Sequence, residues 1–364
     1  MEQFAFIIHP MEVRRDVATK YPVLKYFPES FVEWLMLHKS PVVSSHITGI
    51  ESAADPQAEG WFIGCPLSPR QLLELPVDMV YDRIAAAGKL AAEQGAKIVG
   101  LGALTAVAGD AGISVAKRLE GIINVTTGNS YTVFTAIEGL LRAAQLMETD
   151  VPNAHCAIVG ATGSIGAVCA KMLADQVAHI TLIGRNTAKL NQLREELAGS
   201  KAVVEVTTDT SAGLRNADLV VAVSSAKDSI IFPQDLKSGA VICDVARPRD
   251  VSIDVVQQRD DVLVIEGGVV EVPGDVDFHF TFGFPPKTAY ACMSETMILA
   301  LEGTYEPYTL GRDLTVQQVQ RIGELAKKHG FKLAGFRSFE KAITEEDISR
   351  VKENVKRQKS EVES

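Results

Sequence analysis

The stretch AHCAIVGATGSIGAVCAKMLADQVAHITLIGRNT covers residues 154–187 and contains two apolar runs separated by a glycine-rich loop and a helical segment. The runs CAIV and ITLI lack alternation of polar and apolar residues, which is typical of parallel strands buried on both faces. Between them, GAVCAKMLA has the pattern of a helix that starts directly after the loop. This order predicts a βαβ unit, and we expect an α/β fold with a Rossmann-type, doubly wound sheet.

The glycine-rich loop places its glycines at 160, 163 and 166, in the spacing GxxGxxG. Gly160 would permit a tight turn, Gly163 the approach of a pyrophosphate to the backbone, and Gly166 close packing of helix on strand. N–H groups at a helix start bind phosphate. The predicted dinucleotide contacts are Gly160, Ala161, Thr162, Gly163, Ser164, Ile165 and Gly166. The alternative is a plain strand-to-helix turn.

The end of the second strand indicates which dinucleotide is bound. An NAD site usually has Asp or Glu at this point, to bind the ribose 2′-hydroxyl. This chain has Arg185, Asn186 and Thr187 instead, with Lys189 just beyond. Because a guanidinium matches phosphate oxygens bidentately, these residues favour the 2′-phosphate of NADPH. A solvated loop arginine is the alternative.

The rest of the chain predicts further α/β structure on either side of this unit. Short Val/Ile-rich runs and helical segments alternate after residue 187, and strands and helices also precede residue 125. We predict an N-terminal α/β substrate domain over 1–125, a linking helix over 126–150, a Rossmann NADP domain over 151–275, a helical C-terminal segment over 276–340 and a charged tail over 341–364.

Composition excludes several classes of protein. The 364 residues are 46% hydrophobic, which is too apolar for a disordered chain. The formal net charge of −10, from 36 basic and 46 acidic residues, argues against general nucleic-acid binding. No window holds about 18 uninterrupted apolar residues, and the first residues lack the features of a secretory signal. We therefore expect no membrane span and a cytoplasmic location.

The five cysteines form no CxxC pair, so neither a zinc site nor a redox dithiol is expected. Cys292 is the chemical candidate. It lies in PPKTAYACMSETMILALEG, residues 285–303, where the prolines predict a turn before a helix. A helix start and the nearby Lys287 both favour thiolate, the nucleophilic form. The alternative is a small buried side chain. His279, among aromatic residues, is a candidate proton donor or a structural histidine.

Four blocks of the sequence resemble one enzyme family in the same order. They are TTGNSYTVFTAIEGLLRAAQ, AIVGATGSIGAVCAKML, VIEGGVVEVPGDVDF and TAYACMSETMILALEG. Together they look like the long-chain acyl-[acyl-carrier-protein] reductases of cyanobacteria, with similarity over roughly residues 1–335. That family reduces a fatty acyl thioester to a fatty aldehyde with NADPH. Its active-site cysteine segment matches Ala291–Met293, so the resemblance implies that Cys292 is the nucleophile.

The resemblance also implies partners. An acyl-carrier protein or acyl-CoA would supply the acyl group, an aldehyde-consuming enzyme would take the product, and magnesium is allowed as a further cofactor. Because a carrier protein is acidic, the enzyme needs a local basic surface; the densest early cluster is Arg14, Arg15, Lys20 and Lys25, alternatively a solvated face. The chain departs from the family at 244–249 and between 277 and 287, and it is longer beyond 340. These departures leave acyl chain length and carrier open.

Two other functions fit parts of the sequence. The Rossmann half is loosely similar to shikimate dehydrogenase and to glutamyl-tRNA reductase, so the chain could be an NADP-dependent alcohol dehydrogenase without covalent catalysis. That class needs a Lys/Asp pair for proton transfer, for which Lys97 and Asp110 are candidates. The third function is an NADP-binding protein without turnover.

Overall fold

The computed structural model describes residues 1–281 and 283–363, without the side chains at 19, 20, 359 and 361–363. The chain forms two compact units. The first unit comprises Met1–Tyr131, Val270–Asp313 and Arg321–Lys332. The second unit comprises Thr132–Val269, Leu314–Gln320 and the chain from Leu333 onward.

Up to residue 126, the elements are β1 (Glu2–Ile8), α1 (Val13–Lys20), a 3₁₀ helix (Pro22–Tyr26), α2 (Glu29–Leu37), β2 (Val42–Glu51), β3 (Gln57–Gly64), α3 (Pro69–Glu74), α4 (Val77–Glu93), β4 (Ile98–Leu101), α5 (Leu104–Val107), α6 (Ile113–Arg118) and β5 (Asn124–Thr126). The middle of the chain contains α7 (Asn129–Leu146), a 3₁₀ helix (Val151–Asn153), β6 (His155–Val159), α8 (Ser164–Leu173), β7 (His179–Ile183), α9 (Thr187–Glu196), β8 (Val203–Thr207), α10 (Thr210–Leu214), β9 (Leu219–Ala222), a 3₁₀ helix (Pro233–Asp235), β10 (Val241–Asp244), α11 (Ile253–Gln258) and β11 (Leu263–Glu266).

The remaining elements are β12 (Val269–Glu271), β13 (Gly274–Asp277), β14 (Thr288–Tyr290), α12 (Ala291–Leu301), α13 (Val316–His329), β15 (Lys332–Leu333), β16 (Phe336–Ser338), β17 (Lys341–Ile343) and α14 (Glu345–Glu363).

The second unit contains the predicted Rossmann sheet. Its order is β11-β10-β9-β6-β7-β8, and every neighbouring pair is parallel. Numbered from β6, this is the order 3-2-1-4-5-6 of a dinucleotide-binding sheet. Alternate residues of β6 belong to two apolar clusters: Cys156 and Ile158 to one, Ala157 and Val159 to the other. Both faces are therefore covered, and the doubly wound α/β prediction is confirmed.

The first unit is built on a mixed sheet of order β13-β2-β3-β1-β4-β5. β1 is parallel to β3 and β4, whereas β2 is antiparallel to β3. Helix α12 packs on β1 and β4. The approach to β4 is close, because a Cβ atom at Gly100 would lie 2.1 Å from Oγ1 of Thr296 on α12. Almost every residue of α12 is buried, which explains its largely apolar sequence.

The region 276–340, predicted to be helical, also contains strands. Gly274 and Asp277 of β13 pair antiparallel with β2, and β14 precedes α12. β16 and β17 form an antiparallel hairpin near the end of the region. β13 depends on a pairing partner far away in the sequence, and all of these strands are short runs that give too little period to be recognised locally. Among the described residues, no helix is long and apolar enough to span a bilayer.

Candidate active site

The glycine loop after β6 turns sharply toward α8. Gly160 has a φ of +84°, which favours glycine. The N–H groups of Gly160 and Ala161 donate to the carbonyl of Ile183 at 2.9 and 3.0 Å and so tie the loop to the end of β7. A Cβ atom at Gly160 would lie 2.8 Å from backbone atoms of Ser224, just after β9. Glycine is therefore needed here for the turn and for the close approach of the neighbouring strand.

Helix α8 begins inside the loop, with Gly163 as its N-cap residue. A Cβ atom at Gly166 would lie 2.4 Å from the carbonyl oxygen of Gly160, so close helix–loop packing requires glycine there. N–H groups in the first turn of a helix lack intrahelical acceptors and can bind phosphate. The predicted contacts Ala161, Thr162, Ser164 and Ile165 lie in this loop and first turn. The loop thus fits a dinucleotide pyrophosphate.

The turn after β7 presents an exposed arginine. Arg185 lies two residues beyond the end of the strand, and its side chain is exposed. Asn186 has a local role, because its Oδ1 accepts the N–H of Lys189 at 3.1 Å and caps α9. Thr187 is the first residue of that helix. Arg185 is therefore the side chain of this turn best suited to a 2′-phosphate.

Two buried carboxylates lie at and after the end of β10 in the second unit, and sequence reasoning missed them. Asp244 is the last residue of β10, and Asp250 lies six residues beyond it. Asp250 accepts the N–H and the hydroxyl of Ser224 at 2.8 and 2.5 Å. Asp244 accepts the N–H of Val251 at 3.0 Å. Burial, together with the charge of Asp250, raises the pKa of Asp244 to about 6. The available signal was Asp244 itself, an aspartate that ends the apolar run VIC.

The segment that departs from the acyl-carrier-protein reductases, 244–249, ends in an ion pair. Arg249 donates from Nη2 to Oε1 of Glu266 at 2.8 Å, and the N–H of Glu340 donates to the same oxygen at 2.9 Å. Burial alone would raise the pKa of Glu266, but these hydrogen bonds and the charge of Arg247 lower it. Glu266 is therefore held as a carboxylate at the end of β11.

Cys292 is the second residue of α12, in the first unit. It is half-buried, whereas the other four cysteines are buried. Burial raises the pKa of Cys65 and Cys169 to about 12, and it raises the pKa of Cys156 and Cys243 as well. Those four thiols are held neutral in the core. Cys292 alone among the cysteines combines partial exposure with a helix start, which favours thiolate.

The backbone of Gly128 lies against Cys292. A Cβ atom at Gly128 would lie 2.4 Å from both Cα and Cβ of Cys292, and the φ of Gly128 is +77°. Gly128 directly precedes α7, so the starts of two helices come together beside the thiol. N–H groups at helix starts stabilise a negative charge, so this arrangement suits a reactive thiolate.

Glu295 is a buried carboxylate on the same helix as Cys292. Its Oε1 accepts the hydroxyls of Thr126 at 2.5 Å and Thr309 at 2.8 Å. Its Oε2 accepts the hydroxyl of Ser130 at 2.5 Å and the N–H of Tyr131 at 2.9 Å. Sequence reasoning missed this group, although a glutamate inside the apolar run ACMSETMILAL was a usable signal.

His279, the predicted proton donor, is an exposed residue after β13. Its Nδ1 lies 2.8 Å from the carbonyl oxygen of His46, and its N–H donates to Asp277 at 2.7 Å. Lys287, expected to assist Cys292, forms an ion pair with Asp275 at 2.9 Å. These contacts give both residues structural partners on the first unit, and a catalytic role for His279 stays a prediction.

The residues suggested for an alcohol dehydrogenase are not paired with each other. Lys97 forms an ion pair with Glu2 at 3.0 Å, and Asp110 accepts the hydroxyl and N–H of Ser114. Lys97 lies just before β4 and Asp110 lies after α5, and each side chain has its own partner. These contacts give the suggested Lys/Asp proton-transfer pair no support.

The basic cluster predicted near the N-terminus is partly neutralised by its neighbours. Arg15 pairs with Glu12 at 3.0 Å and with Asp16 at 3.1 Å. Arg14 donates to the carbonyl of Lys25 at 2.9 Å. The side chain of Lys20 lies outside the described residues. Within residues 1–281 and 283–363, no group of three or more His, Cys, Asp or Glu side chains could hold a metal ion, so magnesium has no support.

Comparison with known proteins finds a similarity within the second unit. A sequence model of the shikimate/quinate 5-dehydrogenase family matches residues 142–266. The looser similarity to shikimate dehydrogenase expected for the Rossmann half is thereby confirmed. The fold and this match define the class of protein: a Rossmann-type, NAD(P)-dependent oxidoreductase.

Two curated relatives exceed 30% identity. "Aminotransferase PigE" of Serratia sp. (strain ATCC 39006) is 31% identical over 365 residues, covering 96% of this chain and 42% of the relative. The long-chain acyl-[acyl-carrier-protein] reductase of Synechococcus elongatus is 33% identical over 214 residues, covering 57% of this chain and 61% of the relative. The chain thus spans less than two thirds of either relative. The expected resemblance to acyl-carrier-protein reductases is supported over a little more than half of the chain.

Among solved structures, L-tryptophan dehydrogenase from Nostoc punctiforme matches 98% of this chain and 89% of its own. The sequence identity is 12% and the TM-score is 0.42.

Proposed function

We propose that this chain is an NADPH-dependent reductase that converts a fatty acyl thioester into an aldehyde through an acyl group on Cys292. The observation that carries the proposal is the setting of this thiol. Cys292 is the one cysteine that is not buried, it occupies the start of a buried helix, and the Gly128 backbone lies against it. The similarity to the Synechococcus elongatus reductase supports the same reaction.

In the acylation step, the Cys292 thiolate attacks the thioester carbonyl, and the carbonyl oxygen carries the negative charge until the carrier thiolate leaves. One carbon–sulfur bond forms and one breaks. The leaving thiolate takes a proton from solvent. N–H groups at the start of α12 and beside Gly128 are suited to stabilise the negative charge of this step.

NADPH, when bound by the glycine loop and Arg185, would supply the hydride that reduces the acyl carbon. Cys292 then holds a thiohemiacetal, and its sulfur is the leaving group when the carbon–sulfur bond breaks. Aldehyde is released and the thiolate is restored. The former carbonyl oxygen takes up one proton when the hydride is transferred. It loses that proton when the carbon–sulfur bond of the thiohemiacetal breaks.

The acyl donor is a thioester of an acyl-carrier protein or of CoA, and the aldehyde is consumed by a second enzyme. An aminotransferase is a suitable consumer, since it adds nitrogen to a carbonyl group. The relative named aminotransferase contains a region similar to 96% of this chain and is more than twice as long. That arrangement supports an aldehyde-aminating partner.

The test is aldehyde formation from palmitoyl thioesters of carrier protein and of CoA, with NADPH. Wild-type protein should form the aldehyde, and Cys292→Ala and Cys292→Ser should lose nearly all of the rate. Cys65→Ala, which removes a buried thiol of the same unit, should retain it. Near wild-type rates in both Cys292 variants would show that the covalent route is wrong.

The match to the shikimate/quinate 5-dehydrogenase family favours one other function, the NADP-dependent oxidation of a small alcohol. That enzyme would form no acyl adduct, and Cys292→Ala would leave its rate unchanged. Incubation with an acyl-thioester analogue separates the two functions, because only the reductase becomes labelled at Cys292.

A further inference from the structure

We propose that Glu295 is a positioning residue of the Cys292 site. Its carboxylate holds the segment Thr126–Ser130 and the start of α7 against the helix that carries the thiol. This inference rests on the proposed function. It adds a residue that touches neither substrate nor cofactor but fixes the backbone beside the nucleophile.

The first argument is saturation of the carboxylate. Glu295 is fully buried and accepts four hydrogen bonds, from three hydroxyls and one backbone N–H. An ionised carboxylate is an acceptor only, with about four lone-pair sites on its two oxygens. The four donors therefore occupy the acceptor sites of both carboxyl oxygens, and none of them is cationic. Apolar residues would fill such a core without the desolvation cost of a charge, so Glu295 is better explained by the geometry that it imposes.

The second argument is which elements the carboxylate joins. Thr126 ends β5, Ser130 and Tyr131 lie in the first turn of α7, and Thr309 follows α12. Oε2 of Glu295 thus caps the start of α7 from another helix, where a negative charge is favourable. Thr309 extends the network, because its carbonyl accepts the hydroxyl of Thr127 at 2.5 Å. Three separate parts of the chain meet at one side chain.

The third argument is the consequence for Cys292. Gly128 lies between Thr126 and Ser130, both of which donate to Glu295. The backbone of Gly128 lies so close to Cys292 that there is no room for an added methyl group at Gly128. Any shift of the segment Thr126–Ser130 therefore changes the packing around the Cys292 thiol. Glu295 stands one helical turn after Cys292, so one helix positions both the nucleophile and the tether that fixes its surroundings.

The experiment compares Glu295→Gln with a matched control, Glu33→Gln. Glu33 is also a buried carboxylate of the first unit and accepts the hydroxyl of Ser68 at 2.5 Å, but it lies on α2. Two measurements are made on the full chain: kcat and KM for aldehyde formation from a palmitoyl thioester, and hydrogen exchange of the peptide spanning residues 126–131.

We expect Glu295→Gln to lower kcat by about tenfold or more, with KM within about twofold, because misplacement of the nucleophile affects the chemical step. Exchange in 126–131 should become faster. Glu33→Gln should change neither measurement. If Glu295→Gln fails to fold, Ser130→Ala and Thr309→Val each remove one donor, and the same two changes are expected. Wild-type kcat and exchange in the folded variants, or an equal loss in Glu33→Gln, would overturn the proposal.

Failure of the proposed function gives a different result. If the wild-type protein forms no aldehyde, the reductase assignment fails, and hydrogen exchange alone decides on Glu295. Unchanged exchange in residues 126–131 of Glu295→Gln would then reject the tether. Faster exchange confined to that segment would support it.

Discussion

Gly128 and Cys292 show how a single missing side chain shapes the site. Alanine at 128 would place its Cβ 2.4 Å from Cys292, in a backbone conformation with a φ of +77°. The φ alone costs about 1–2 kcal/mol for a residue other than glycine. The steric overlap adds to this cost and moves Cys292 or the segment before α7. We therefore expect Gly128→Ala to lose stability and most of its kcat.

Gly121→Ala is the matched control for this substitution. Gly121 has a φ of +74° but nothing within 4 Å of an added Cβ. It should show the backbone cost and keep kcat. Urea unfolding and steady-state kinetics of the two variants check this prediction. Equal stability and equal kcat in both variants would mean that the contact with Cys292 is unimportant.

Residues that act within one short segment could be read from the sequence. Gly160 and Gly166 are required by a local turn and a local helix start, and Cys292 lies at a helix start marked by prolines. Gly128 meets Cys292, and Glu295 meets Thr126 and Ser130, across more than 160 residues of sequence. No local period encodes such contacts, so sequence reasoning missed them.

The turn between β7 and α9 is the element that should select the cofactor. Arg185 is exposed there, and a charge-assisted hydrogen bond to a phosphate contributes about 1.5–3 kcal/mol. We expect Arg185→Ala to weaken NADPH binding by about 10- to 100-fold, with little change for NADH. Titration of both cofactors, followed by fluorescence, gives the two dissociation constants.

The control for the turn is Arg194→Ala, an exposed arginine in the last turn of α9. It should bind both cofactors as the wild-type protein does. Equal weakening of NADPH and NADH in Arg185→Ala would contradict a role in recognising the 2′-phosphate.

Elements differ in how far the sequence predicts them. Five of the six parallel strands of the second unit are largely apolar, and each is followed by a turn or a helix start, so pattern alone locates them. The sixth, the edge strand β8, carries Glu205 and is only partly buried. β13 is a four-residue strand, GDVD, with one buried residue. It exists because β2 offers an edge to pair with, through Ile50 and Thr48. Sequence pattern carries no information on such an edge.

The first unit should lose stability in mild acid. Burial lowers the pKa of His9 and of His329 below the ordinary value of 6.5. His9 also makes a specific hydrogen bond: its Nε2 accepts the N–H of Leu104 at 3.3 Å. Protonation of the ring removes that acceptor. In the unfolded chain these histidines take up a proton at a higher pH than in the folded protein. The contribution of these histidines to the free energy of unfolding is therefore fully present above about pH 6.5. It falls as the pH drops toward their lower pKa values in the folded protein.

Tryptophan fluorescence can follow this effect, because both tryptophans, Trp34 and Trp61, belong to the first unit. We expect urea unfolding to require less denaturant at about pH 5.5 than at about pH 7.5. His9→Gln should reduce this difference, whereas His179→Gln, an exposed histidine of the second unit, should not. A pH difference that is the same in all three proteins would show that His9 does not titrate as described.

The net charge of −10 restricts how the chain can bind the proposed acidic carrier protein. The overall acidity argued against nucleic-acid binding. Because the proposed carrier protein is itself acidic, its docking must use a local cluster of basic side chains. The cluster around Arg14 and Arg15 is partly compensated by Glu12 and Asp16. The partners of Arg15 lie three and one residues away in the sequence, so the local charge pattern was a usable signal of this compensation.

The central claim is that Cys292 carries the acyl group, and intact-protein mass spectrometry tests it most directly. Wild-type protein and Cys292→Ala are incubated with a palmitoyl thioester without NADPH. The wild type should gain the mass of one palmitoyl group, located on the peptide that contains residue 292, and NADPH should then remove it as hexadecanal. Cys292→Ala should gain nothing. The account would be contradicted by an equal adduct on Cys292→Ala, or by no adduct on a wild-type protein that forms hexadecanal once NADPH is added.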